Sequence, residues 1–188
     1  MWNFELDTVE NWAYWNNLFT PDECKTIIEI AYKKPKKIAV VDNGKIRKNI
    51  RKSKVIWLNE QDDLIWAYQK MAHAVNELNN QFFKFDLYGF TEDIQFTEYN
   101  SPDNHYKKHI DKSINNVIRK LSIVIQLTNP KDYEGGELEL YIENKPTLMG
   151  KDQGNLYAFP SYTLHQVKPV TKGTRHSLVA WIGGPNFK

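Results

Sequence analysis

The hydrophobic period of this chain changes once, near Phe85, and that change limits the fold more than any other feature. Before it, apolar residues recur at helical spacing. Cys24, Ile27, Ile28 and Ala31 follow the segment TPDE, in which Thr20 is an N-cap, Pro21 the first helical residue and Glu23 the partner in a capping box. This helix should stop by Pro35. Residues 61–80 read as a second helix, with Leu64, Ile65, Tyr68, Met71, Ala72, Val75 and Leu78 on one stripe and His73 off it at the surface. From Phe85 onward the period is two. Strands are expected near 85–90, 93–99, 106–111, 120–127, 137–142, 154–159, 165–170 and 174–182. Two helices followed by many strands, with no helix between them, imply an α+β, mainly β fold. The helices pack on one sheet, and a jelly-roll-like barrel closes the strands. No repeat or low-complexity linker interrupts the pattern, so residues 1–188 are expected to form a single domain.

Composition narrows the class of partner. Lys plus Arg is 25 against Asp plus Glu 23, a net charge of +2 that calls for neither nucleic acid nor a membrane surface. The single cysteine, Cys24, allows no internal disulfide and fits the apolar stripe of the first helix as a buried thiol. No apolar run has the length of a membrane span, and the N-terminus lacks the basic-then-apolar order of a signal peptide. A soluble, cytoplasmic protein is the expectation; nothing sets its oligomeric state. Lys33 to Lys37 reads as a solvated helix end. Asn43-Gly44 is a hairpin signal, and Arg47, Lys48, Arg51, Lys52 and Lys54 make that ribbon strongly basic. It is either a solvated edge hairpin or a flap, residues 45–54, over a substrate.

The chemistry concentrates in HYKKHID, His105 to Asp111. On a strand, residues two apart share a face, so His109 and Asp111 project together. Imidazole nitrogen and carboxylate oxygen suit a divalent transition ion, but two ligands make a weak site. His165, opening a later strand, supplies a third. HxD followed at a distance by H is the facial triad of non-haem iron(II) oxygenases, which leaves coordination positions open. A 2-oxo acid dicarboxylate would chelate there and need a fixed cation for its far carboxylate. Arg175 lies ten residues beyond His165 and can grip a carboxylate with two N–H groups. Ser177 shares its face, and Tyr99, ten residues before His109, offers a phenol from another strand. His105 reads as a loop spectator. His176 alternates away from Arg175, while Trp181 shares its face and either walls the pocket or packs the core; Tyr157 and Tyr162 are further possible lining residues. Gly135-Gly136 reads as a tight connection or bulge rather than a phosphate cradle.

With these pieces the chain resembles the iron(II)/2-oxoglutarate-dependent dioxygenases, most closely the prolyl 4-hydroxylase-like branch. The matching motifs are Gln95-Phe96-Thr97-Glu98-Tyr99, Tyr106 with His109-Ile110-Asp111, Glu134-Gly135-Gly136-Glu137-Leu138, Phe159-Pro160-Ser161 with His165, and Gly173-Thr174-Arg175. Upstream, the Phe19 to Ala31 helix and Ile50-Arg51-Lys52-Ser53 look like the branch's N-terminal region. HxD alone is a weak pattern; the ordered set is specific. The resemblance implies a double-stranded β-helix with N-terminal helices. It implies iron(II) on His109, Asp111 and His165, and the 5-carboxylate of 2-oxoglutarate on Arg175, with Tyr99 and Ser177 helping. Collagen-type prolyl hydroxylases commonly carry lysine at the Arg175 position; other members use arginine. The implied reaction consumes dioxygen and 2-oxoglutarate, hydroxylates a C–H bond and releases succinate and carbon dioxide; ascorbate is a common companion in the family. A prolyl residue of a peptide or protein is the substrate expected first. The alternatives are a small molecule such as a free amino acid, and a non-catalytic metal-binding β-barrel.

Overall fold

A computed structural model describes residues 8–39, 47–111 and 118–186. In chain order the elements are β1 (Ala13–Trp15), α1 (Pro21–Tyr32), β2 (Lys37–Ile38), β3 (Arg51–Lys52), β4 (Lys54–Leu58), α2 (Ile65–Leu78), β5 (Gly89–Phe90), β6 (Ile94–Asn100), β7 (His105–His109), β8 (Arg119–Gln126), β9 (Tyr133–Gly135), β10 (Leu138–Leu140), β11 (Thr147–Leu148), β12 (Leu156–Pro160), β13 (His165–Val167) and β14 (Val170–Gly183). The capping box of α1 forms as read: the Thr20 hydroxyl accepts from the Glu23 backbone N–H, and the Glu23 carboxylate accepts from the Thr20 N–H. Such a cap is worth about 1 kcal/mol. No helix among the described residues is long and apolar enough to cross a membrane.

Two antiparallel sheets face each other. The larger runs β1-β12-β8-β14-β6-β4-β2, with β5 and β9 added along β14; the smaller runs β11-β10-β13-β7-β3. The period-two pattern assigns every side chain of the larger sheet to one of two compartments. On β12, Leu156 and Ala158 join the core beneath the helices, while Tyr157 and Phe159 join the core between the sheets. On β8, Leu121, Ile123 and Ile125 face the helices, and Val124 faces the smaller sheet. Against the outer face pack Cys24, Ile27 and Ala31 of α1 and Ala67, Met71, Ala74, Val75 and Leu78 of α2. The double-stranded β-helix with helices on one sheet is therefore as expected.

Four expectations are corrected. The stretch 85–90 is a strand only at Gly89–Phe90. A π turn, Asn79–Phe83, extends α2, and the Asn79 side chain then takes up both the N–H and the C=O of Phe85. Phe83, Phe85 and Leu87 alternate because they pack under the helices, not because they pair. Ile65, placed on the buried stripe, is exposed; Ala67 and Ala74 take its place on the inward face. His105 is not in a loop but opens β7. The Asn43-Gly44 turn lies outside the described residues, as do positions 45 and 46 of the suggested flap. Beyond them the chain is not one ribbon: β3 pairs β7 in the smaller sheet, and β4 pairs β2 and β6 in the larger. Ser53 is the crossing point, and it carries Arg51 into the interior.

Candidate metal centre

His109 and His165 stand opposite each other on β7 and β13, and Asp111 follows β7 by two residues. Donor atoms of the three lie within 4.8 Å of one another. Each imidazole is fixed by its second nitrogen. His109 Nδ1 sits 2.8 Å from the Lys107 carbonyl, and His165 Nδ1 sits 2.9 Å from that of Thr163. A carbonyl only accepts, so both Nδ1 atoms carry the proton and both Nε2 atoms present lone pairs. Those lone pairs point at the carboxylate: His109 Nε2 is 3.5 Å from Asp111 Oδ1, and His165 Nε2 is 3.5 Å from Oδ2. Three electron-rich groups converging without a donor between them form a cation site by their chemistry.

The charge states agree. Burial, with His165 beside it, pushes the His109 imidazole down to about 3, so it is neutral and ready to ligate. Burial alone would raise the Asp111 carboxyl; attraction to His165 or His109 whenever one of them carries a second proton, together with the hydrogen bond from the Ser122 hydroxyl, outweighs it and holds the group low. Ser122 Oγ donates to Asp111 Oδ2 at 2.7 Å and lies 3.0 Å from Ser161 Oγ, while the Asp111 N–H donates to the Ser161 carbonyl. These partners orient the carboxylate in the way that ligand-orienting groups do around metals. Trp181 is buried on the same side, its indole N–H close to Asp111 but short of hydrogen-bond geometry, and its ring is covered by the Arg119 guanidinium at 3.7 Å.

Arg175 and Tyr99 are register partners on β14 and β6, and Arg175 is only 1% exposed. Its Nε donates to Gln126 Oε1 at 3.2 Å, its Nη1 reaches Ser177 Oγ at 3.5 Å, and the guanidinium lies 5.4 Å from the Tyr99 ring centre. Among the described residues, Nη2 has no partner within hydrogen-bond geometry, and neither does the Tyr133 hydroxyl, which lies close enough to Arg175 to feel its charge. Burial raises the Tyr133 phenol, with Arg175 pulling the other way. A buried guanidinium with an unused N–H beside an unused hydroxyl fits a carboxylate. Gln126 and Ser122 lie four residues apart on one face of β8, roughly 13 Å along the strand. The arginine head and the triad thus face one interior from its two ends. The glycines explain themselves here: at Gly136, φ is +65°, and a Cβ would lie 2.9 Å from Val170 Cγ2 and 3.0 Å from Arg175 Cδ.

The remaining expectations divide. His176 faces away as read, between the Tyr32 hydroxyl and Thr128. Tyr157 is buried in the inter-sheet core and Tyr162 is exposed. Missed were Ser122, Gln126, Ser161 and Tyr133. Ser122 and Gln126 carried a signal, as polar residues at period two inside the apolar run LSIVIQL. Tyr133 had only its place before Glu134-Gly135-Gly136.

Fold and site together define a class: a double-stranded β-helix that holds two histidines, one aspartate and a buried, unsatisfied arginine. Residues 94–183 match the family model described as the 2OG-Fe(II) oxygenase superfamily. A PKHD-type hydroxylase of Prochlorococcus marinus is 32% identical over 145 residues, covering 75% of this chain and 65% of that protein. One of Gloeothece citriformis is 42% identical over 80 residues, 41% of this chain and 36% of that protein. The chain thus spans two thirds or less of these relatives. Among solved structures, a Pseudomonas putida prolyl-4-hydroxylase superposes with a TM-score of 0.75 at 19% identity, covering 94% of both chains. A Trichoplax adhaerens prolyl hydroxylase in complex with a hypoxia inducible factor peptide fragment gives 0.78 at 19% identity, covering 93% of this chain and 84% of that one. The fold is thus prolyl 4-hydroxylase-like, and the family's cofactors are iron(II) and 2-oxoglutarate.

Proposed function

We propose that this chain is an iron(II)- and 2-oxoglutarate-dependent dioxygenase that hydroxylates a C–H bond, with a prolyl residue of a peptide or protein as substrate. In this reading the helices and barrel act as one domain. The observation that carries it is the convergence of two Nε2 lone pairs on Asp111, with the unsatisfied Arg175 Nη2 buried in the same interior. His109, Asp111 and His165 would hold iron(II). Arg175, with Tyr99, Ser177 and Tyr133 around it, would hold the 5-carboxylate of 2-oxoglutarate. Bound there, iron supplies the dioxygen chemistry that couples oxidative decarboxylation to hydroxylation, one oxygen atom entering succinate and the other the product. The chain's own task is to orient the ligands, hold the His109 imidazole neutral and keep Asp111 ionised. The peptide assignment draws on the prolyl hydroxylase neighbours, one of them solved with a peptide.

The test is anaerobic titration of the iron(II)-loaded protein with 2-oxoglutarate, followed by visible absorption. A weak metal-to-ligand charge-transfer band should appear in wild type and be lost in His109→Ala and His165→Ala. Iron bound without a band would remove the 2-oxoglutarate assignment and favour a binding module.

A further inference from the structure

Arg51 is the second guanidinium of the barrel interior. It is 8% exposed, although it belongs to a segment whose other cations are solvated. Its Nε donates to Ser53 Oγ at 3.1 Å, and its Nη2 donates to Gln95 Oε1, which also accepts from Thr97 Oγ1. Its charge lies 4.5 Å from the Tyr106 ring centre, and the other face of that ring stacks on His109 at 3.5 Å. The cation is therefore one ring away from the metal cluster. Among the described residues, no carboxylate forms an ion pair with it. Asp111 is engaged by Ser122 and the two imidazoles.

Burying a charge without a counter-charge costs several kcal/mol, and neutral acceptors such as Ser53 and Gln95 offset only part of that. Arg175 presents the same anomaly, and there the cosubstrate carboxylate resolves it. We infer that Arg51 is the counter-charge for a carboxylate on the substrate, placed across Tyr106 from the iron ligands. This rests on the dioxygenase reading and adds the chemical class of what is hydroxylated: a substrate with an acidic group near the reacting carbon. The surroundings favour an anion. Lys48, Lys107 and Lys108 are exposed on and beside β3 and β7, and the exposed acid found there among the described residues, Asp103, is taken by Lys52. The carboxylate has two sources, the side chain of Asp or Glu in a peptide and the α-carboxylate of a free amino acid.

The experiment measures binding by calorimetry to full-length protein loaded with manganese(II) and 2-oxoglutarate. One arm uses acetylated, amidated proline peptides with Asp or Glu at each neighbouring position, against matched Asn or Gln peptides. The other uses free amino acids, proline included, against their amides. In one arm, the acid should bind at least about tenfold more tightly than its amide partner. Arg51→Gln should abolish that preference and Arg51→Lys should keep it, with melting temperatures confirming that both variants fold. Equal binding of acids and amides in wild type, a preference that survives Arg51→Gln, or no binding in either arm would overturn the inference. Loss of the iron charge-transfer band in wild type would instead remove the dioxygenase reading itself, so the two failures are distinguishable.

Discussion

His109 and His165 are register partners on antiparallel strands, with ring centres 4.1 Å apart, and the carboxylate of Asp111 closes the triangle. Two strands thus fix two ligands, while the third depends on a residue just past the end of β7. Asp111 is held there by Ser161 through its backbone and by Ser122 through its side chain.

Ser122→Ala is therefore expected to weaken divalent metal binding by about 10- to 100-fold, the usual cost of losing a ligand-orienting partner. The fold should survive, because Ser161 retains its own backbone contacts. Competition between the protein and a chromophoric chelator for manganese(II) measures this directly. Unchanged affinity would mean that Ser122 is packing alone.

Gly136 separates backbone strain from site damage. Its φ of +65° and the contacts a Cβ would make with Val170 and Arg175 are both unfavourable. Gly89 has φ +126° but open space around it. Both Gly→Ala variants should lose stability, by about 1–3 kcal/mol. Only Gly136→Ala should also weaken 2-oxoglutarate binding, because its methyl displaces the Arg175 stem. Thermal melts paired with the charge-transfer titration decide it; equal 2-oxoglutarate affinity in the two variants would refute the steric account.

Sequence alone offered His109, Asp111, His165 and Arg175 as candidates because ligand chemistry demands particular residue types at strand spacing, and the structure brings the first three together and buries the fourth. His109, Asp111, His165 and Arg175 have few substitutes. Ser122 and Tyr133 act through one hydroxyl each, and serines and tyrosines are placed for many reasons, so only coordinates distinguish them. The fold class was legible from the switch in period. Its local failures came where tertiary contacts overrode pattern: the Asn79 amide removing Phe85 from a ladder, and the turn at Ser53 sending Arg51 inward from a segment that reads as surface.

Glu98 joins α1 to the outer face of the barrel. Burial pushes its carboxyl up, but hydrogen bonds from Lys36, Asn100 and Tyr32 prevail and hold it at about 2, below its ordinary 4.5. Lys54 and His176 also face it, at 3.3 and 3.9 Å. A depressed native pKa means that the unfolded chain binds the proton first on acidification. The stability Glu98 contributes is thus complete above about pH 5 and is lost as pH falls from there toward 2. Glu98→Gln should cost on the order of 2 kcal/mol at pH 7. That gap should narrow below about pH 5 and close only near pH 2; His176, which burial pushes down to about 4 while Glu98 pulls it up, is coupled to Glu98, so the two proteins are compared in a His176→Gln background. Urea unfolding of the pair across this range tests it, and a gap independent of pH would assign the loss to packing.

Tyr133 is the residue whose role the coordinates add. Its hydroxyl is buried, has no partner, and lies beside the equally unpartnered Nη2 of Arg175. Lys151 stands over its ring at 5.1 Å and is itself tied to the Gly135 carbonyl and to Glu137, so the phenol is held in place before any ligand arrives. A hydroxyl prepared in this way should form its hydrogen bond only with the bound carboxylate. One net hydrogen bond is worth about 0.5–1.5 kcal/mol. Tyr133→Phe is then expected to raise the 2-oxoglutarate Kd by about 2- to 12-fold. Metal affinity should stay at the wild-type value, because Tyr133 touches none of the three ligands. Melting temperature should change little, since among the described residues the hydroxyl makes no hydrogen bond of good geometry and meets only the Arg175 charge. The charge-transfer titration yields the Kd, and chelator competition yields the metal affinity. A variant that binds 2-oxoglutarate as tightly as wild type would remove Tyr133 from the carboxylate pocket and leave Arg175, Ser177 and Tyr99 to account for it.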